Sequence, residues 1–375
     1  MTVPDIHLLD WLHTNAGPVV RWRIASELCP EYPAQELNRI QQDLLASPLV
    51  RSWLDRLTLE EFGDGLENLT PQTLSRLGLK VHGSKDTQLE NVLGKLAEFG
   101  LCAGMPALDQ RMAPLPSIFH WQGGWKEDAL YRSTWESLVK CIFAWGLLRT
   151  GYQPGGAMQE YLYKHLERVY KIARDQVYDL YASGSELAGL PKAWGGKPIL
   201  RQEIMSHYHL PLIHDIYLLA YFPPALLDAR TSAMIDTVVA YILDPRFQAL
   251  PEGYGYAWIK ERHTCYSWGW SPHLSSYHDL DFSHSNQVGM LVQHLELMAR
   301  FSQVQRSTWF NQALAHLESF RTEQKTYRFP GRYLREAEGY YVSGYHMGLG
   351  ENRHKQPSLE IESTVRMLTI KQLVL

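Results

Sequence analysis

Cysteine is scarce in this sequence, with four among 375 residues, at positions 29, 102, 141 and 265. They lie far apart and form no CxxC pair, which excludes a disulfide scaffold and leaves reduced thiols in a cytoplasmic protein as the simplest expectation. No apolar run approaches the roughly 20 residues of a membrane span. The opening MTVPDIHLLDWLHTN lacks the basic segment followed by an apolar one that marks a secretory signal. Lys/Arg runs are also missing, the net charge is −4 and the pI is about 6.5. Nucleic acid is therefore not an expected partner. No strict internal period stands out, so a TPR- or ankyrin-type solenoid is not indicated.

What is present is ample core-forming material and a strong helical pattern. Hydrophobic residues make up 45% of the chain and charged residues 20%, the composition of a large globular protein. Residues 5–28 read as two short helices split by Asn15-Ala16-Gly17-Pro18, and residues 34–45 and 48–57 repeat the pattern. Thr70-Pro71 supplies a cap and a first helical position. From Asp86 to Phe99 the apolar residues Leu89, Val92, Leu93, Leu96 and Phe99 follow the helical period, and Gly100 ends it. Residues 101–127 read as a proline-rich loop. Helices are expected over 128–149, 157–181, 201–222, 227–243, 286–303, 305–322 and 358–372. The segment 201–222 is apolar on most faces, as a buried inner helix would be. YGYAWI and GYYVSGY are candidates for short strands. The expectation is a single all-α domain over 1–375, an α/α toroid: short helical hairpins in 1–115, a cavity-forming part in 116–375, and long aromatic-rich loops at one end of the barrel.

The richest stretch runs from Tyr254 to His284 and holds eight aromatics, four histidines and the carboxylates Asp279 and Asp281. Glycines and Pro272 interrupt any long helix there. A long loop so dense in aromatic and titratable groups points to a pocket. In an extended segment Asp279 and Asp281 share one side, where like charge raises one pKa and leaves a general acid. His278 and His284 flank them. The alternative is that Asp281 caps the next helix or that both acids are solvated. In the 201–222 helix, His207, Pro211 and His214 recur at i, i+4 and i+7, with Glu203 one turn before. Glu203, His207 and His214 could act as acid and base or bind a metal, although the spacing matches no zinc motif such as HExxH. Histidines bonded within the core are the simpler reading, so no metal and no cofactor is expected. A second aromatic loop, Gly339 to Arg353, contributes Tyr340, Tyr345 and His346. A third group holds His120, Trp121 and Trp125. Trp268 and Trp270 complete the candidate wall, with His263 beside them.

The opening LLDWLHTNAGPVVRWRIASEL and the segment VHGSKDTQLENVLGKLAEFGL resemble bacterial proteins grouped with squalene cyclases and protein prenyltransferase β-subunits. The resemblance implies the α/α toroid. It does not carry the activities over. Asp279-Leu280-Asp281-Phe282 lacks the last carboxylate of a cyclase Asp-x-Asp-Asp acid, and repeated Gln-Trp motifs are absent. His263-Thr264-Cys265-Tyr266 is similar to a prenyltransferase zinc-histidine segment but has no upstream Asp-x-Cys. The expected function is a terpenoid cyclase-like enzyme acting on a small hydrophobic, isoprenoid substrate by proton-initiated or elimination chemistry. Asp279 or Asp281 would be the acid, with His207, His278 and Glu203 assisting. Trp268, Trp270, Tyr345, His346, Trp121, His214, His263 and Tyr340 would contact the substrate. Two alternatives stand beside it: a helical-barrel glycan hydrolase or lyase using a carboxylate pair, and a non-catalytic helical binding protein.

Overall fold

Helix starts fall largely where proline and side-chain caps put them. The computed structural model, which describes residues 6–29, 32–59, 66–121, 129–282 and 288–374, is predominantly α-helical. Helices Ile6–Asn15 and Pro18–Arg23 open the chain, and the second runs on into a π-helical turn over Ile24–Leu28. Ala34–Ala46 and Pro48–Leu54 follow. Pro71–Val81 begins at a capping box in which the Thr70 and Thr73 hydroxyls each accept a hydrogen bond from the other residue's backbone N–H. No helix among the described residues is long and apolar enough to cross a membrane.

Five helices carry the core: Leu89–Glu98, Ala129–Arg149, Ile213–Ala220, Val288–Met298 and Ser358–Val374. Each is buried along most of its described length and packs against the next in that order. The Glu98 carboxylate on the first meets the Arg366 guanidinium on the last. More amphipathic helices, among them Gly156–Arg174 and Ala229–Leu243, pack outside and against each other. Gly94 shows how tight the centre is. A Cβ at that position would sit 2.3 Å from the Tyr341 ring, so only glycine lets the first helix approach.

Three expectations are corrected. The segment 201–222 is not one helix. It splits into Gln202–His207 and Ile213–Ala220, with an extended link between. Pro211 cannot donate to a helix and disfavours the helical conformation at Leu210, and the Leu212 N–H is taken by the Asp215 carboxylate at 2.8 Å. Residues 101–127 contain a helix, Pro106–Met112, and a 3₁₀ turn over Leu115–His120, each with a proline in its first turn. GYYVSGY makes a 3₁₀ turn over Tyr341–Ser343 instead of a strand.

Strand is confined to β1 (Ile199–Leu200), β2 (Gly255–Ile259) and β3 (Thr264–Trp268) among the described residues. β2 and β3 form an antiparallel hairpin pairing Gly255 with Trp268 and Ile259 with Thr264, and β1 adds in parallel to β2. A Cβ on Gly255 would lie 2.2 Å from the Pro198 carbonyl oxygen, and its φ is +103°, so glycine alone allows this crossing. The hairpin ends in Trp268-Gly269-Trp270, which brings two indoles to the head of the Ile213–Ala220 helix.

Candidate functional site

The Leu89–Glu98 helix is enclosed on all sides, so its polar residues face protein and each has acquired a partner. Lys95 reaches Glu336 at 2.8 Å and the carbonyls of His346 and Gly348. The Asn91 amide bonds the carbonyls of Gly83 and Lys85 and accepts from Tyr341 N–H. Glu98 is held by Arg149 at 2.6 Å, by Arg366 and by the Tyr341 hydroxyl. Glu90, in the first turn, has two imidazoles. His82 Nδ1 lies 2.5 Å from Glu90 Oε2, and His214 Nε2 lies 3.2 Å from Oε1. Burial alone would raise the Glu90 carboxyl, but the two imidazoles and their hydrogen bonds outweigh it and hold it down to about 2.

His82 faces a cavity of about 670 Å³. Trp135, Trp268, Trp270 and Tyr340 wall it, together with Leu138, Leu212, Ile213, Met290 and Val342. The His82 ring meets Trp270 edge-on with centroids 4.9 Å apart and lies 5.2 Å from Tyr340, while Trp270 and Tyr340 approach to 4.3 Å. Trp270 holds this place in a left-handed conformation, φ +73°. That is a costly state for a bulky residue, and it is fixed by the bond from Ile213 N–H to the Trp270 carbonyl at 2.7 Å. Ser271 and His273 brace the same loop. The Ser271 hydroxyl accepts from Gly253 N–H and lies 2.6 Å from His273 Nδ1, and His273 Nε2 donates to the Leu250 carbonyl.

A second cluster sits directly behind. Asp215, next to His214 in sequence, accepts from His165 Nε2 at 2.8 Å, from His209 Nε2 at 2.9 Å and from Leu212 N–H. Cys141 Sγ is 3.5 Å away. Burial would raise the Asp215 carboxyl, yet His209 and His165 hold it well below the usual carboxylate range. Burial first, then the Asp215 charge, pushes the Cys141 thiol up, so it stays protonated. Two groups therefore offer metal-type donor atoms within 4.8 Å of one another: His82, Glu90 and His214, and Cys141, His165 and Asp215.

The sequence-predicted residues divide sharply. Trp268, Trp270 and Tyr340 line the cavity, and His214 lies beneath it on Glu90. The proposed acid pair does not come near: His278, Asp279 and Asp281 are exposed, and Asp279 Oδ1 caps the Asp281 N–H at 3.0 Å in a surface turn. Glu203 and His207 are exposed too, because the break at Pro211 separates them from His214. His207 Nδ1 turns back to the Glu203 carbonyl at 3.0 Å. His263 sits exposed at the hairpin tip with φ +47°. His346 is buried against Trp53, its Nε2 on the Gly339 carbonyl, and Tyr345 packs under the Arg335 guanidinium. Trp121 is buried with its indole N–H on the Leu69 carbonyl. None of these last three is among the cavity residues. His284 and Trp125 lie outside the described residues.

Sequence reasoning missed His82, Glu90, Trp135 and His294. His82 and Glu90 stand in the very segment VHGSKDTQLENVL that carried the family resemblance. The available signal is a carboxylate in the first turn of a helix whose leucines and valine leave it no exposed face, where burial requires a partner. The partner itself, His214, is 124 residues away in the chain and could not be read locally. The chain matches no protein-family model, no curated protein and no solved structure at a significant level, so the site is interpreted from its own chemistry.

Proposed function

We propose that the protein is an α/α-toroid enzyme that moves a proton on a small, neutral, largely hydrophobic substrate of isoprenoid type, with the His82–Glu90–His214 cluster as its reactive centre. The supporting observation is the conjunction of an aromatic-walled cavity with one buried carboxylate–imidazole cluster on its wall. The toroid reading is supported by five core helices that pack in sequence and by the Glu98–Arg366 pair between the first and the last.

The lining selects among substrates. Among the described residues that line the cavity there is no Lys or Arg, so a diphosphate would find no clamp. Among the described lining residues the only carboxylate is that of Glu252, which is exposed, and a glycan hydrolase needs two acids across the bond. Four aromatic walls suit an apolar chain and any positive charge that develops on it. The cluster also restricts the reaction. Glu90 is ionised and cannot protonate an alkene, and an imidazolium is too weak an acid to do so. His82, oriented by Glu90, suits proton abstraction beside a carbonyl or assistance to a leaving hydroxyl, which is isomerisation or elimination.

Deuterium wash-in from heavy water into a panel of isoprenoid ketones, aldehydes and alcohols tests this reading. Wild type is expected to exchange an activated C–H in at least one panel member, with the rate falling roughly 100-fold or more in His82→Gln. Equal exchange in wild type, His82→Gln and Glu90→Gln would remove the reading.

A further inference from the structure

We propose that His82, Glu90 and His214 form a three-ligand site for a divalent transition-metal ion of the zinc class, with an open coordination position facing the aromatic cavity. The inference deepens, and rests on, the reading of this cluster as the reactive centre. It is distinct from the His263–Cys265 segment, which lies on the exposed hairpin.

The donor set fits chemically. Two imidazoles and one carboxylate are what zinc takes in sites that keep a position for water or substrate, whereas four protein ligands make a closed structural site. One donor atom from each of His82, Glu90 and His214 lies within 4.8 Å of the other two. Ligand atoms about 2.0–2.2 Å from a tetrahedral ion are separated by roughly 3.3–3.5 Å. His214 Nε2 is 3.2 Å from Glu90 Oε1 and His82 Nδ1 is 2.5 Å from the other oxygen, Oε2, so the two imidazoles flank the carboxylate. A turn of the carboxylate with a shift of His82 into the cavity would set one oxygen between them.

The surroundings are built to hold these three groups. Each ligand has an anchored neighbour in the chain. Asn91, beside Glu90, ties the turn that follows His82 by bonding the Gly83 and Lys85 carbonyls at 2.9 and 2.8 Å. Asp215, beside His214, is gripped by His165, His209 and Leu212 N–H. A site whose supporting contacts are satisfied before a ligand arrives loses little on ordering. The Glu90 carboxylate is wholly buried, and its ion-pair partners among the described residues are these two imidazoles and no Lys or Arg. A dication would supply the positive charge such a carboxylate requires. The Cys141–His165–Asp215 group differs: the Asp215 oxygens are already taken by three nitrogen donors, and the group does not border the cavity.

His82, Glu90 and His214 would hold such an ion, which would supply Lewis acidity and an acidified water at the position facing the cavity.

The experiment uses the full chain, stripped with chelator and titrated with zinc chloride alone by calorimetry, with metal content read after gel filtration. Cobalt(II) substitution provides a spectrum independent of turnover. One zinc per chain is expected. His82→Gln, which alters a side chain on the cavity wall, should weaken binding by at least about 100-fold, the upper end for losing even an outer-shell partner, and Glu90→Gln should do the same. Cys141→Ser should bind as wild type does. The proposal is overturned if wild type binds no more tightly than His82→Gln, if Cys141→Ser abolishes binding, or if the cobalt spectrum carries a thiolate charge-transfer band. Exchange that depends on His82 but is insensitive to chelator would remove the metal and leave the acid–base reading. Zinc bound at these ligands with no His82-dependent exchange would do the reverse.

Discussion

His214 and Asp215 are consecutive residues, yet each completes a different carboxylate–imidazole cluster. His214 Nε2 approaches Glu90 at 3.2 Å, and Asp215 takes His165 and His209 at 2.8 and 2.9 Å. Both leave the first turn of the Ile213–Ala220 helix. The second cluster therefore acts as a clamp for the first: fixing Asp215 fixes the backbone from which His214 reaches Glu90. The extended link created by Pro211 makes this possible, because it lets His209 fold back onto the helix that follows it.

Asp215→Asn should accordingly damage both fold and site. The amide keeps the shape but cannot accept from two imidazoles and a backbone N–H with the strength of a carboxylate. A loss of about 3 kcal/mol is expected, as for breaking a buried charge-assisted network. Urea denaturation measures it. Cys141→Ser, which touches the same carboxylate only through a weak thiol bond at 3.5 Å, should shift stability by well under half of that.

Glu90→Gln and His82→Gln separate support from chemistry. Glu90 is wholly buried between its two partners, so the glutamine variant should lose about 1.5–3 kcal/mol, the range for a hydrogen bond to a charged group. His82 borders an open cavity, and its replacement leaves room for water, so about 1 kcal/mol or less is expected. On the proposed function, proton exchange should fall by roughly 100-fold or more in both. A His82→Gln protein as unstable as Glu90→Gln would show that His82 is a packing residue.

How far the sequence could be read follows from which contacts are local. Caps, proline starts and the 3.6-residue period depend on neighbours a few positions away, so Thr70-Pro71, the helix ending at Gly100 and the final helix from Ser358 were legible. The aromatic wall was partly legible as well, because Trp268 and Trp270 belong to one dense stretch. The titratable centre was not. Charge and aromatics are concentrated in sequence around Asp279 and Asp281, whereas Glu90 is one of two acids, with Glu98, spaced along the Leu89–Glu98 helix. Its significance arises only when helices from three parts of the chain enclose it. The full break around Pro211 is not legible because an apolar pattern looks the same in a buried helix and in a buried extended link.

His294 should make stability depend on pH below neutrality. It is buried on the Val288–Met298 helix beside the cavity, and burial, partly offset by the nearby Val342 backbone, pushes its pKa from 6.5 down to about 4. A histidine with a depressed folded-state pKa leaves stability intact above the unfolded value. As pH falls below about 6.5 the unfolded chain takes up the proton first, so stability drops until the folded form also titrates near 4. The full loss is about 3 kcal/mol at 1.36 kcal/mol per pKa unit. Denaturation midpoints measured between those limits should show this slope, and His294→Gln should flatten it.

Trp270 allows backbone strain to be measured apart from side-chain contacts. Its φ of +73° disfavours any residue with a Cβ, while its ring packs on His82 and Tyr340. Trp270→Ala removes the ring and keeps the Cβ; Trp270→Gly removes both. Both should lose the same packing and widen the cavity mouth equally, so ligand binding, followed by calorimetry, should fall in parallel. Stability should not. In the left-handed region glycine is favoured over alanine by about 1 kcal/mol, which reverses the usual penalty for glycine. The glycine variant should therefore be the more stable of the two, and thermal unfolding of the pair side by side reads that difference directly. An alanine variant that is equally or more stable would mean the loop relaxes to negative φ once the indole is gone. The ring, held between Tyr340 and His82, would then be what imposes the left-handed turn.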